Sequence, residues 1–164
     1  MGQQQSSSSI RTLVAAAHDG DIVALEEFLQ QVEEHPEYAD LVNIPCDNGI
    51  LPIFAAVQSN QAIFLQLLLT CPKISVTSLT GEHALSLLHI SAIGNHIECL
   101  TILLSHSNIN VNKTDILSRT AIYVAAEHGS VACLEALLMY CKQYSNLLWN
   151  QPNERDWTPL HIAV

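Results

Sequence analysis

Basic residues are scarce in this 164-residue sequence, which has six Lys and Arg against sixteen Asp and Glu and a formal net charge of −10. Such a charge repels nucleic-acid phosphates and anionic membrane surfaces, so we expect no nucleic-acid partner. Nine carboxylates fall in a span without Lys or Arg: Asp19, Asp21, Glu26, Glu27, Glu33, Glu34, Glu37, Asp40 and Asp47. This span would either steer a basic protein partner towards the chain or act only as a solvated surface that keeps the domain soluble.

Long apolar runs and paired cysteines are also missing. No stretch reaches the ~18 uncharged apolar residues that a membrane span needs, and the start lacks a secretory hydrophobic region. The cysteines are odd in number and have no C-x-x-C spacing: Cys46, Cys71, Cys99, Cys133 and Cys141. This usage favours buried, reduced thiols over disulfides, so we expect an intracellular, cytoplasmic protein.

Aromatic residues make up only 5% of the chain, although 49% of its residues are hydrophobic. The apolar residues are mainly Leu, Ile, Ala and Val, which suit helices that pack closely through small and branched side chains. The composition therefore favours an all-α fold with a substantial core.

Motifs of enzyme active sites are absent from the sequence, which has no Gly-rich phosphate loop, nucleophile elbow or paired-carboxylate motif. The strongest metal-like group, His96, Glu98 and Cys99, points its side chains to different faces of a helix start. We predict no catalytic, cofactor or metal site, and no enzyme activity for these residues.

An internal repeat organises the chain. Four segments place small residues in the middle of a short helix and end in Gly or Asn, which is a helix C-cap signal: Leu13–Gly20, Ile53–Asn60, Leu88–Asn95 and Ile122–Gly129. A Leu-rich second helix follows each segment. Their last residues are 40, 35 and 34 positions apart, close to the ~33-residue period of one class of helical repeat.

The motif residues carry a resemblance to that class. Thr158-Pro159-Leu160-His161-Ile162-Ala163 matches the ankyrin motif Thr-Pro-Leu-His-x-Ala, and a Val-Asn pair of the preceding β-turn finger recurs at Val42-Asn43 and Val111-Asn112. The chain thus resembles the ankyrin repeat family. The resemblance implies an all-α ankyrin-repeat solenoid of helix-turn-helix units with short β-turn fingers, and a function in protein–protein interaction as a scaffold or adaptor.

The repeat pattern divides the chain into a tail and five repeats. We expect a disordered Gln/Ser-rich tail at 1–9, followed by ankyrin repeats at about 10–46, 47–80, 81–114, 115–152 and a truncated fifth at 153–164. The first repeat should carry a longer loop, Gln30–Leu41, after its second helix. Because the sequence ends within a first helix, we expect a monomeric N-terminal fragment of a larger ankyrin-repeat protein.

Partner-binding residues follow from the resemblance, since ankyrin repeats usually hold partners with their fingertips and the ends of their first helices. The corresponding residues are Asp47, Asn48, Ile50, Gln58, Ser59, Ile93, Ile116, Leu117, Arg119, Glu127, His128, Glu154, Arg155 and Trp157. The large apolar members would either form an interface or pack against neighbouring fingers.

Two further hypotheses remain open. The repeats would be the substrate-recruiting region of a larger enzyme, such as an E3 ubiquitin ligase or a protein kinase, or part of a membrane-tethered adaptor. The second hypothesis rests on residues 1–6, which fit the N-myristoylation pattern M-G-x-x-x-[ST] with Gly2 as the acylated residue. A protein tethered in this way would lie peripherally on a membrane; otherwise the tail is simply disordered.

Overall fold

The structure is a computed structural model that describes residues 12–46, 49–71, 73–78, 83–144 and 149–163. The chain divides into two compact units, Met1–Val76 (unit 1) and Thr77–Val164 (unit 2). The described residues form helices and turns, and an isolated antiparallel bridge joins Thr114 to Thr120. The predicted all-α ankyrin-repeat fold class is confirmed.

Unit 1 consists of two helix pairs with a 3₁₀ helix between them. The first pair is α1 (12–19) and α2 (Ile22–Glu34), and the second is α3 (Pro52–Gln58) and α4 (Ala62–Leu68). The 3₁₀ helix spans Pro36–Asn43. Helix α2 packs on α4 and on the 3₁₀ helix, and α3 packs on α4.

The predicted loop at Gln30–Leu41 is wrong, because this region is helical. Helix α2 continues to Glu34, and the 3₁₀ helix begins at Pro36, a residue that is tolerated in a first helical turn. Ala39 and Val42 of the 3₁₀ helix are buried. Burial of these two side chains gives the segment a fixed position that its polar composition did not indicate.

Unit 2 repeats the paired arrangement. Its helices are α5 (Leu87–Gly94), α6 (Ile97–Ser105), α7 (Ala121–Glu127), α8 (Val131–Gln143) and α9 (Pro159–Ile162). The first helices α5, α7 and α9 pack in succession, and the second helices α6 and α8 pack on each other. This layering sets the fingers that precede α7 and α9 next to one another.

The turn inside each pair contains a residue in the left-handed conformation, as the Gly and Asn endings predicted. The φ angles are +73° at Gly20, +55° at Asn60, +54° at Asn95 and +63° at Gly129. At Gly20 a Cβ atom would also meet the end of the Gln61 side chain, which would have to shift. Glycine adopts the left-handed conformation there without either cost.

Candidate functional site

The β-turn fingers are three-residue hairpin turns. In the finger before α7, the Asp115 N–H donates to the Arg119 carbonyl at 3.0 Å, and the Ser118 N–H donates to the Asp115 carbonyl at 3.1 Å. Ser118 has a φ of +59°. A type I turn followed by one left-handed residue is a common way to close a three-residue hairpin loop.

The same turn recurs in the other fingers. Before α9, Asn153 and Trp157 are joined by a 2.8 Å N–H to carbonyl bond, and Asp156 has a φ of +60°. Before α3, the Cys46 N–H donates to the Ile50 carbonyl at 3.0 Å, with the left-handed residue at Gly49. The fingers thus share one backbone geometry while their side chains differ.

An Asp or Asn side chain clamps each of the two fingers before α7 and α9. The Asp115 Oδ1 atom accepts from the N–H groups of Leu117 and Arg119, both at 2.9 Å. The Asn153 Oδ1 atom accepts from Arg155 at 2.9 Å and from Trp157 at 3.0 Å. These clamps were not predicted from the sequence, although an Asx residue lies five positions before the N-cap of α7 and of α9 and was the available signal.

Arg119 is bound by two carboxylates of its own repeat. Its Nη2 atom lies 2.7 Å from Asp115 Oδ2, and its Nη1 atom lies 2.6 Å from Glu127 Oε2. Burial opposes the charge of the guanidinium, but the hydrogen bond and the negative charge of Asp115 raise the pKa of Arg119 overall. Arg119 and Glu127 therefore stabilise the finger on α7 and are less available to a partner than their positions suggested.

Backbone hydrogen bonds connect successive fingertips. The Ile116 N–H donates to the His83 carbonyl at 3.2 Å, and the Glu154 N–H donates to the Leu117 carbonyl at 3.1 Å. The tips of the fingers before α7 and α9 are thereby fixed to one another, so their side chains have defined relative positions.

The third residue of α5 and the third residue of α7 each add a connection to the next finger. His89 is fully buried, and its Nε2 atom donates to the Arg119 carbonyl at 2.8 Å, while its Nδ1 atom accepts from the Ser86 N–H at 3.2 Å. At the same position of α7, the Tyr123 hydroxyl accepts from the Asn153 side-chain amide at 3.0 Å. Desolvation of the buried ring lowers the pKa of His89.

Ile116 and Trp157 are the most exposed apolar residues among those predicted to bind a partner. Their relative exposures are 55% and 52%, and they lie on neighbouring fingers of unit 2. Leu117 beside them is half-buried, whereas Glu154 and Arg155 at the tip of the next finger are exposed. The fold thus brings these five residues together on one edge of unit 2.

The remaining predicted residues of unit 2 lie at the ends of first helices. Ile93 is exposed near the end of α5, in the repeat position that Glu127 occupies in α7. His128, directly after α7, is exposed, and its Nδ1 atom donates to the Val124 carbonyl at 3.0 Å.

In unit 1 the residues predicted to bind a partner differ in their exposure to solvent. Ile50 is half-buried, Gln58 is exposed at the end of α3, and Ser59 is half-buried. Asp47, Asn48 and the predicted lipidation site Gly2 lie outside the described residues.

The described residues offer no metal cluster: none of their His, Cys, Asp and Glu side chains form a group of three or more that could hold an ion. Cys71, Cys99 and Cys133 are buried, and burial raises the pKa of Cys99 and of Cys133 to about 11. Such thiols stay protonated and unreactive near neutral pH. Among the described helices, none combines the length and the apolar character required to cross a bilayer.

Comparison with known proteins places these observations in a family. Residues 88–164 match the family model for ankyrin repeats (3 copies). Over 82% of its length the chain is 28% identical to the Homo sapiens protein named SMC5-SMC6 complex localization factor protein 1, and over 54% it is 32% identical to the Bos taurus protein of that name. The matched regions span 12% and 8% of those relatives' own lengths. The described residues form helix pairs and fingers like those of ankyrin repeats, and the family match places residues 88–164 in the ankyrin repeat family.

Proposed function

We propose that this chain is a non-catalytic adaptor that binds another protein through the finger surface of unit 2, defined as Ile116, Leu117, Glu154, Arg155 and Trp157. The observation that carries the proposal is the exposure of Ile116 and Trp157, two large apolar side chains on neighbouring fingers. Single exposed apolar residues are common on protein surfaces. Two of them on adjacent, hydrogen-bonded fingers form an anchor for a partner.

Rigidity supports the proposal. The side-chain clamps of Asp115 and Asn153 and the backbone bond from Glu154 to Leu117 fix the fingers before any partner arrives. A preorganised surface loses little conformational entropy on binding. Complete burial of Ile116 and Trp157 would each contribute roughly 1.5–3 kcal/mol, reduced by the part that is already buried.

The relatives agree with a role of this kind. Their name describes a factor that localises the SMC5-SMC6 complex. Localisation of one protein by another requires a binding surface rather than a catalytic site. For this chain, a cytoplasmic location, acylation of Gly2 and a place within a larger enzyme remain predictions from the sequence.

Affinity capture with matched variants tests the proposal. The full chain and its Ile116→Ser, Leu117→Ser and Trp157→Ala variants are immobilised, and the captured proteins are quantified by mass spectrometry. We expect the captured amount of one set of proteins to fall by about 10-fold or more with Trp157→Ala, and the amount of the same set to fall likewise with Ile116→Ser.

The control variant is Met139→Ser, which removes an exposed apolar side chain from α8, away from the fingers. Capture should be unaffected by this change, and circular dichroism should give the same helix content for all variants. Equal capture by the wild-type chain and by all finger variants would show that the finger surface is not the binding site.

A further inference from the structure

Unit 1 exposes two large apolar side chains at one and the same position of neighbouring repeats. Val23 is the second residue of α2 and Ile63 is the second residue of α4, and they are 65% and 68% exposed. The same position holds Glu98 in α6 and Ala132 in α8. Because Glu and Ala also occur there, the repeat fold does not require an apolar residue at this position.

The two side chains lie on one edge of unit 1. Helices α2 and α4 pack on each other, and packed helix axes lie about 8–10 Å apart. The residue before α4 is joined to the last turn of α1, the helix that precedes α2, since the Gln61 Nε2 atom donates to the His18 carbonyl at 3.2 Å. Val23 and Ile63 therefore form an exposed pair, which we call the Val23/Ile63 face.

Two carboxylates lie beside Val23 on α2. Glu26 and Glu27 follow Val23 by three and four residues, a spacing that puts them on the same side of α2. Both are exposed, and neither forms an ion pair with another described residue. The sequence has no Lys or Arg between Arg11 and Lys73, and the Lys73 ammonium is bound to Asp40 at 2.8 Å.

We infer that the Val23/Ile63 face binds a basic amphipathic segment of another protein. One large apolar side chain of that segment covers Val23 and Ile63, and neighbouring Lys or Arg residues face Glu26 and Glu27. The charge decides the type of partner, because nucleic acids and anionic membranes are repelled from this surface. This second binding surface goes beyond the proposed function, since it uses residues of unit 1 that the fingers do not involve.

Selection from a phage-displayed library of random peptides on the immobilised full chain tests the inference. We expect one enriched class of peptides that combines a large apolar residue with Lys or Arg. Its affinity should fall by about 10-fold or more with the double substitution Val23→Ser and Ile63→Ser. The control Val131→Ser removes a 61% exposed Val from the first turn of α8 and should leave the affinity unchanged.

Charge variants separate this site from the fingers. The double substitution Glu26→Lys and Glu27→Lys should weaken the same peptides and reduce the dependence of their affinity on salt, whereas Trp157→Ala should not affect them. Circular dichroism checks that each variant is folded, and Glu26→Gln with Glu27→Gln serves as a milder charge variant if one of them is not. The inference is overturned if no enriched peptide responds to the Val23 and Ile63 substitutions, or if those that respond lack basic residues. Peptides that respond only to Ile116→Ser and Trp157→Ala would support the proposed function while excluding this second surface.

Discussion

Single side chains hold the fingers of unit 2, and residues at equivalent positions do so with different chemistry. His89 donates a hydrogen bond to the following finger, whereas Tyr123, at the same helix position, accepts one. Asp115 and Asn153 clamp their fingers in the same way, although one is charged and the other is neutral. The copies of the repeat therefore hold their fingers with the same hydrogen-bond geometry, although the residue types at equivalent positions differ.

Burial of His89 predicts a pH dependence of stability. Because desolvation lowers its pKa in the folded state from the usual 6.5, the unfolded chain binds the proton more readily. The stabilising contribution is complete above about pH 6.5 and is lost as the pH falls through the lower folded pKa. We expect the free energy of unfolding in urea to fall between about pH 8 and about pH 5, and to fall less steeply in His89→Gln. Identical slopes for the two proteins would contradict this prediction.

Removal of Arg119 should destabilise the protein more than removal of its outer partner. Arg119→Met leaves the fully buried Asp115 carboxylate without its cation and should cost about 2 kcal/mol or more. Glu127→Gln keeps the buried ion pair between Arg119 and Asp115 and removes only the partly exposed pair between Arg119 and Glu127. Its cost in the free energy of unfolding should therefore be less than about 1 kcal/mol. Urea unfolding of both variants measures the difference, and equal losses would argue against the central role of Asp115.

At the scale of elements, a left-handed residue lies two positions before the N-cap of each of α3, α5, α7 and α9. Gly49 supplies it without strain, whereas Ala84, Ser118 and Asp156 adopt it with φ values of +51°, +59° and +60°. A left-handed conformation costs an L-residue about 1–2 kcal/mol, with Asp tolerating it better than Ala. Among these four residues, Ala84 therefore has the largest conformational cost.

Ala84→Gly should accordingly stabilise the chain. We expect a gain of about 0.5–1 kcal/mol, because relief of the left-handed strain exceeds the extra freedom that Gly gives the unfolded chain. Thermal and urea unfolding measure the gain. The matched control Ala132→Gly in α8, where the backbone is right-handed, should lose about 1 kcal/mol instead. A loss in both variants would mean that Ala84 is not strained.

At the scale of the whole molecule, charge is unevenly distributed. The net charge of −10 arises largely from the carboxylates of residues 19–47. On the described part of this region Glu26, Glu27 and Glu33 are exposed and form no ion pair with other described residues. Repulsion among them favours the unfolded chain, in which like charges lie further apart.

Salt should therefore stabilise the protein. Raising NaCl from about 0.01 M to about 0.15 M shortens the screening length from about 30 Å to about 8 Å, so the free energy of unfolding should rise. Glu33→Lys should reduce this rise, and Glu135→Lys on α8 of unit 2 should reduce it less. The measurement is urea unfolding at each salt concentration, and a constant or falling stability would contradict the prediction.

The sequence by itself determined the period, the all-α fold class and the turn residues. These features are local: small residues, Leu runs and Gly or Asn endings specify helices and caps through contacts within a few residues of the chain. The 3₁₀ helix was missed because Ala39 and Val42 are fixed by burial and not by a strong local preference.

Only the tertiary structure decided which side chains remain available for binding. Arg119 is neutralised by Asp115 and Glu127, and Ile50 is half-buried, whereas Ile116 and Trp157 stay exposed at similar finger positions. In the sequence, Val23 and Ile63 likewise look like ordinary helix residues. The packing of α2 against α4 decides that their side chains are exposed to solvent. The exposure of a residue depends on which distant segments of the chain cover it. The repeat pattern of the sequence predicts the position of a side chain within its repeat, but it does not predict which segments cover that side chain.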